Sequence, residues 1–254
     1  MIFRCTKPGF LILALICAAC GVNDRQAQPS PTSEHPSGPQ GGIATSTPTS
    51  NPSPVSPTPS VIPTSAPRNF TEEFSANAPD WTFLQIDNGQ LIPGPSTRDG
   101  FLVFDLGAAN QWVYALYEPQ DYSDVVIEAQ IQSRTPGDGA AGIVCRYDES
   151  RGWYELNIFA DQTYELLFGQ WLAAGVARYT PLYHGESEKI EADTNVIGLS
   201  CEGNVLTPVI NGAPMRKWTE QKFALQKGKV GLSASSFQDA PFTIAFDRVK
   251  VSEP

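Results

Sequence analysis

Trp153, Glu155 and Asn157 stand two residues apart in the run WYELNIF. Side chains two apart on an extended strand share a face. The run therefore puts Trp153, Glu155, Asn157 and Phe159 on one side and Tyr154, Leu156 and Ile158, which suit a core, on the other. DVVIEAQIQS alternates in the same way, with Val125, Ile127, Ala129 and Ile131 opposite Val126, Glu128, Gln130 and Gln132. With these runs as neighbouring strands, Glu128, Gln130, Arg146, Trp153, Glu155 and Asn157 share the face away from the core. These six are the expected ligand-binding residues. Such a face suits sugar recognition, because the apolar side of a pyranose stacks on the indole and its hydroxyls bond planar polar groups. The competing expectation is a solvated face with an Arg–Glu cross-strand pair worth a few tenths of a kcal/mol. Trp112, Trp171, Tyr179 and Tyr183 are candidates to extend the face, or to pack in core and loops.

Other chemistries find little support. Gly137-Asp138-Gly139-Ala140-Ala141-Gly142 spells G-x-G-x-x-G, but a dinucleotide site needs a strand before it and a helix after it. Here a strand-like run follows, so the segment reads as a β-turn. No G-x-S-x-G elbow occurs, and with only His35 and His184 a zinc site or His-based triad has little to work with. Asp121, Asp124, Asp138, Asp161 and Asp193 are acidic loop residues without recognisable Ca²⁺-loop spacing. They read as surface charge, and no cofactor is expected, with a structural Ca²⁺ as the one alternative left open. The net charge of −10 argues against nucleic acid, whose binding relies on Lys and Arg neutralising phosphates.

The elements that would position these residues are short strands. From about residue 69 to 254 the composition turns aromatic and β-branched, and helical periodicity is nearly absent. Strand-like runs cover residues 101–106, 112–117, 125–132, 142–147, 153–159, 164–168, 196–201, 205–210, 229–234 and 242–251, separated by Gly, Pro, Asn and Asp. Asn211-Gly212 signals a tight hairpin, because Asn-Gly tolerates the positive φ of a type I′ turn. The expected class is all-β, an antiparallel two-sheet jelly-roll sandwich in one domain, 69–254.

The order GIVCRYDESRGWYELNIF, NVIGLSCEGNVLTPVING, GKVGLSASS, FTIAFDRVKV resembles the concanavalin A-like lectin/glucanase superfamily, in its exported bacterial laminin-G-like branch, over nearly all of residues 70–253. The resemblance implies a disulfide between Cys145 and Cys201, since the cysteines of these two strands occur together in such relatives. The glycanase branch carries E-x-D-x-x-E on one strand, a spacing absent here. Gly142-Ile143, Arg146 and Tyr154-Glu155 are similar to the 3-keto-glycoside hydrolase-like family. That likeness implies Arg146 and Glu155 in one cleft. The chain departs from that family in having CRY where an aromatic precedes the Arg, and in lacking a preceding Asn-Ser.

The N-terminal part addresses the domain. Arg4 and Lys7, the apolar run Phe10–Ile16 and the small Ala18-Ala19 form a secretory signal over residues 1–19. The run is far below the roughly 20 residues needed to span a bilayer. Cys20 after two alanines resembles the bacterial lipobox, with Cys17 where Leu is usual, and is expected to carry the lipid. Residues 20–68 form a disordered Pro/Ser/Thr-rich tether, reaching on the order of 150 Å if extended at about 3.1 Å per residue. Removal of the signal and lipidation of Cys20 leave Cys145 and Cys201 as an even pair in a compartment where disulfides persist. The chain thus reads as an exported, lipid-anchored monomer at the bacterial cell membrane or outer membrane. Its domain is a non-catalytic module for an envelope or extracellular glycan. The alternatives are a structural or protein-interaction lipoprotein and a sugar-active enzyme.

Overall fold

Turn residues cut the chain into short extended runs. In the computed structural model, which describes residues 66–86, 92–135 and 137–254, these become strands throughout. In chain order they are β1 (Phe70–Glu72), β2 (Trp81–Ile86), β3 (Ser96–Arg98), β4 (Phe101–Leu106), β5 (Gln111–Tyr117), β6 (Val125–Thr135), β7 (Gly139–Asp148) and β8 (Gly152–Phe159). They continue as β9 (Thr163–Ala173), β10 (Val176–Glu186), β11 (Thr194–Glu202), β12 (Val205–Ile210), β13 (Ala213–Pro214), β14 (Trp218–Thr219), β15 (Lys229–Ser236) and β16 (Phe242–Ser252). The signal segment, Cys20 and the tether up to residue 65 lie outside the described residues.

The strands form two antiparallel sheets. One runs β13-β12-β11-β6-β16-β4-β3, with β1 also on β16 and β14 also on β12; the other runs β10-β9-β8-β7-β15-β5-β2. Their apolar faces meet in one core. Ile127, Ile131, Leu199 and Phe246 come from the first sheet and Ile143, Leu156, Ile158 and Leu232 from the second. Each fully buried side chain of this size contributes about 1.5–3 kcal/mol. The hairpin at Asn211-Gly212 forms as expected, with φ of 49° and 75°. Asn211 adds its side chain to the join, accepting from Val196 N at 2.7 Å and donating to Lys189 O at 2.6 Å.

Ala66–Arg68, assigned by sequence to the tether, dock on the domain. Arg68 pairs with Glu253 at 2.6 Å and lies over the Tyr122 ring, and Gln120 donates to Ala66 O. This fastens the start of the domain to its C-terminal strand.

Strand order corrects the proposed face. β6 belongs to the nine-stranded sheet, whereas β7 and β8 are neighbours in the seven-stranded one. Glu128 and Gln130 therefore sit on the outer side of the opposite sheet, with Lys250 and Arg248 as their cross-strand partners. Alternation had placed them outside the core correctly; the chain changes sheets between β6 and β7, which alternation does not record.

Arg146 is also elsewhere. A register shift between Cys145 and Asp148 interrupts the β7–β8 pairing, and Arg146 itself has φ of 54°. The irregularity turns its side chain off the Trp153 face. Its Nε donates to Ser123 O at 2.8 Å, and Nη1 to Gly203 O at 2.7 Å and Leu225 O at 2.9 Å. Nη2 reaches Cys201 O at 3.1 Å and Asp124 Oδ1 at 3.2 Å. Burial lowers the guanidinium pKa, and the Asp124 charge opposes that shift. Beside it the Cys145–Cys201 disulfide joins β7 of one sheet to β11 of the other. Closing that loop of 56 residues is worth about 4 kcal/mol in the chain-entropy model.

Arg146 thus saturates four backbone carbonyls that water would otherwise have to reach. Replacing it with Ala strands them, and the expected loss is about 3 kcal/mol or more, read as a lower urea midpoint at unchanged slope. Asp124→Asn, on the half-exposed partner, should cost less than about 1 kcal/mol. Equal stability of Arg146→Ala and the parent would contradict this role.

Candidate functional site

Trp153, Glu155 and Asn157 do share the outer face of the seven-stranded sheet. On that face Trp153 lies opposite Gly169, Glu155 opposite Val144 and Leu167, and Asn157 opposite Gly142 and Glu165. The same row continues from Gly142 to Ser233 and on to Tyr114 and Leu84. Tyr114 on β5 and Tyr179 on β10 bring their hydroxyls to 2.5 Å, although their strands are five places apart in the sheet. A flat sheet would separate those strands by about 24 Å at about 4.8 Å per strand, more than two tyrosine side chains can span. The sheet therefore curls toward its outer side, and this face is concave.

Glu155 is at the centre of the concavity and only 3% exposed. Its Oε2 accepts from Trp153 Nε1 at 2.9 Å and from the Tyr114 hydroxyl at 3.0 Å; its Oε1 accepts from Ser233 Oγ at 2.7 Å. Burial raises the carboxyl pKa, and hydrogen bonds from Trp153, Ser233, Tyr114 and Asn157 pull against that shift without cancelling it. Burial, then the nearby Glu155 charge, pushes the Tyr114 and Tyr179 hydroxyls well above the usual phenol value. Both remain protonated in ordinary buffers and stay available as donors. Gly142 is required beneath this network, because a Cβ there would collide with the Asn157 and Ser233 side chains.

The aromatic rings fall into two groups. Trp153, the ring expected to stack on a ligand, is fully buried. It packs against Tyr114, Tyr147, Trp171 and Tyr179 with centroids 5.3–6.0 Å away. The half-buried Trp171 and Tyr179 cover it, so they, not Trp153, present rings to the concavity. Trp171 is itself fixed by its Nε1 donating to the Tyr147 hydroxyl at 3.0 Å. A second file runs from Trp112 to Phe237 (6.2 Å, edge-on) and from Phe237 to Phe159 (6.0 Å, stacked). Between the two groups lies a polar strip of Glu155, Ser233, Asn157 and Ser235.

Of the aromatic candidates, Tyr183 packs on Tyr164 at the edge of the core instead. His184 is an exposed strand-surface residue 3.2 Å from Glu165. Asp124 accepts from Arg146 and Gly203 N, Asp161 from Thr163, and Asp138 from Gln238 N. Among the described residues no group of three or more His, Cys, Asp or Glu is placed to hold a metal ion. Sequence reasoning passed over Tyr114, Ser233, Ser235 and Phe237. Tyr114 sits in a run that is apolar on both faces, which gives no sign of which side faces out.

The buried carboxyl has a pH signature. Its folded-state pKa lies above the unfolded value, so its contribution to stability is full below the unfolded pKa, near 4.3. That contribution is lost as pH rises through the folded value. Relative to Glu155→Gln, the parent chain should lose stability as pH is raised above about 4 and level off once the carboxyl is ionised in the fold, measured as the difference in urea midpoints. A difference that stays flat or grows with pH would contradict the raised pKa.

No protein-family model matches the chain, and no curated protein matches it in sequence. Solved structures do match in shape. A protein with a galectin-like fold from Bacillus subtilis superposes with a TM-score of 0.54 at 14% identity, covering 72% of this chain and 94% of its own. A glycoside hydrolase family 16 endo-glucanase from Bacteroides ovatus gives 0.53 at 12% identity, covering 72% and 99%. A β-glucanase from Bacillus licheniformis gives 0.51 at 12% identity, covering 73% and 98%. At such identities the likeness is one of fold. With its two antiparallel sheets, one of them concave, the domain is a concanavalin A-like jelly-roll sandwich.

Proposed function

We propose that this domain is a non-catalytic binding module for a polysaccharide or glycoconjugate, acting as a monomer outside the cytoplasm and anchored by a lipid on Cys20. One observation carries the reading: the half-buried rings of Trp112, Trp171 and Tyr179 lie on the concave face beside a largely covered polar strip of Asn157, Ser233 and Ser235, 8%, 3% and 5% exposed. A pyranose needs that combination of a ring to stack on and short polar groups for its hydroxyls. The glucanase and galectin-like neighbours, which share the fold, fit the same reading.

Two features weigh against hydrolysis. Glu155 spends both oxygens on Trp153, Tyr114 and Ser233 beneath the rings, whereas a retaining glycosidase needs two accessible carboxyls about 5 Å apart. Arg146, which the keto-glycoside hydrolase likeness would put in a cleft with Glu155, is turned into backbone carbonyls instead. A second reading, docking to an envelope protein, is favoured by the β9–β10 hairpin tip. There Leu172 is 57% and Val176 48% exposed.

A glycan-array screen of the full chain should show binding to one sugar class. Trp112→Ala and Trp171→Ala should each weaken it by about tenfold, the worth of one stacking ring. A clean negative from folded protein would favour the docking reading. Labelled palmitate should enter the parent chain in cells but not a Cys20→Ala variant; equal labelling of both would remove the anchor.

A further inference from the structure

The sandwich is open at one end. A cavity of about 300 Å³ enters between the sheets there. Its walls are Ile131 on β6 and Phe242 and Ile244 on β16 from one sheet, Ala141 on β7 and Ile158 on β8 from the other, and Ile190 between β10 and β11. Natural cores are close-packed and seldom leave voids larger than a water molecule. This one would hold about ten groups of water's size. Between the sheets its walls are aliphatic or aromatic carbon, while Ser133, Arg134, Glu191 and Asp193 line the rim. Asn195, which also lines it, has its amide engaged: Oδ1 accepts from Glu191 N at 2.8 Å and Nδ2 donates to Glu191 O at 2.7 Å. The interior between the sheets thus suits hydrocarbon, and the charged groups are left to its rim.

The cavity adjoins the concave face. Phe159 lines it and also ends the file Phe159–Phe237–Trp112. A ligand leaving the cavity past Phe159 therefore meets Asn157, two residues along the same strand, and Ser235, with Trp112 beyond it. Facing sheets are only about 10 Å apart, and their side chains narrow that gap to a slit suited to an unbranched chain.

We propose that the end cavity takes a linear acyl or alkyl chain of about eight carbons, carried by the glycoconjugate whose sugar lies on the concave face. The ligand class is thereby narrowed to an amphiphile, an acylated saccharide or glycolipid. This rests on the glycan-binding reading for the sugar half only; the chain half stands on the cavity.

The test is a chain-length series on the full chain, with methyl, butyl, hexyl and octyl β-glucosides below their micelle concentrations and, in parallel, 1-butanol, 1-hexanol and 1-octanol, which carry no sugar. Binding is read by titration calorimetry or ligand-observed NMR. Affinity should rise about fourfold for each methylene buried in both series. Ala141→Phe, which fills the cavity, should abolish that dependence. Ser133→Trp, at a half-buried mouth position, is the companion variant that leaves the core untouched and should do the same. A flat series in both ligand sets would overturn the proposal whatever the glycan array shows. So would a dependence unchanged by both variants, or one that appears only when residues 21–65 are deleted, which would make the tether the natural occupant. Chain-length dependence in the alkanols supports the chain site even where the sugar adds nothing, and in that case it is the glycan reading that fails.

Discussion

A carboxyl group can be withdrawn from water only if its lone pairs meet donors, and Glu155 draws those donors from across the sheet. Ser233 comes from β15, Tyr114 from β5, and Trp153 and Asn157 from its own strand. Because Tyr114 also bonds Tyr179 on the far edge strand, satisfying one acid requires the sheet to curl. Curvature, the burial of Trp153 and the need for glycine at 142 all follow from that network. Losing one donor would leave a buried acceptor exposed to a penalty of about 1–3 kcal/mol. The network also explains why the indole nearest the acid is unavailable for stacking: its Nε1 is one of the donors.

The two sheets are held in register at the opposite side by a different device. The disulfide ties β7 to β11, and Arg146 next to it gathers carbonyls from the loops that close the same end. Five donors in a planar fork suit a site where several chain segments end with unpaired carbonyls. Arg146, one of the six expected ligand contacts, thus holds backbone, and the strand irregularity that turned it inward is what made this possible.

Much of the fold could be read from period-two alternation, and the limits of that signal are physical. Alternation separates inside from outside, so the split of β8 into Tyr154, Leu156 and Ile158 against Trp153, Glu155 and Asn157 was legible. It carries no information on which strand lies beside which, so Glu128 and Gln130 were assigned to the wrong sheet. One irregularity reverses the sense of alternation, which displaced Arg146. β10 gave no run at all, because as an edge strand it buries neither face fully and carries Pro181, which an edge tolerates. The rings that present themselves to the concavity were named only as possible extensions for the same reason: Trp171 and Tyr179 lie on β9 and β10, where the pattern is weakest.

The curled sheet parts from its partner at one end. Where β7 and β8 lead away from Glu155 toward Ile158 and Phe159, the two sheets of the sandwich no longer fill the space between them, and the cavity lies there. In a structure under pressure only to pack, a larger side chain than Ala141 would close that gap. Its small size keeps the end open, whereas Gly139 on the same strand is needed for close approach of the Phe242 ring. The concavity and the cavity meet at Phe159, and a ligand with both a sugar and a chain is the kind that would use both.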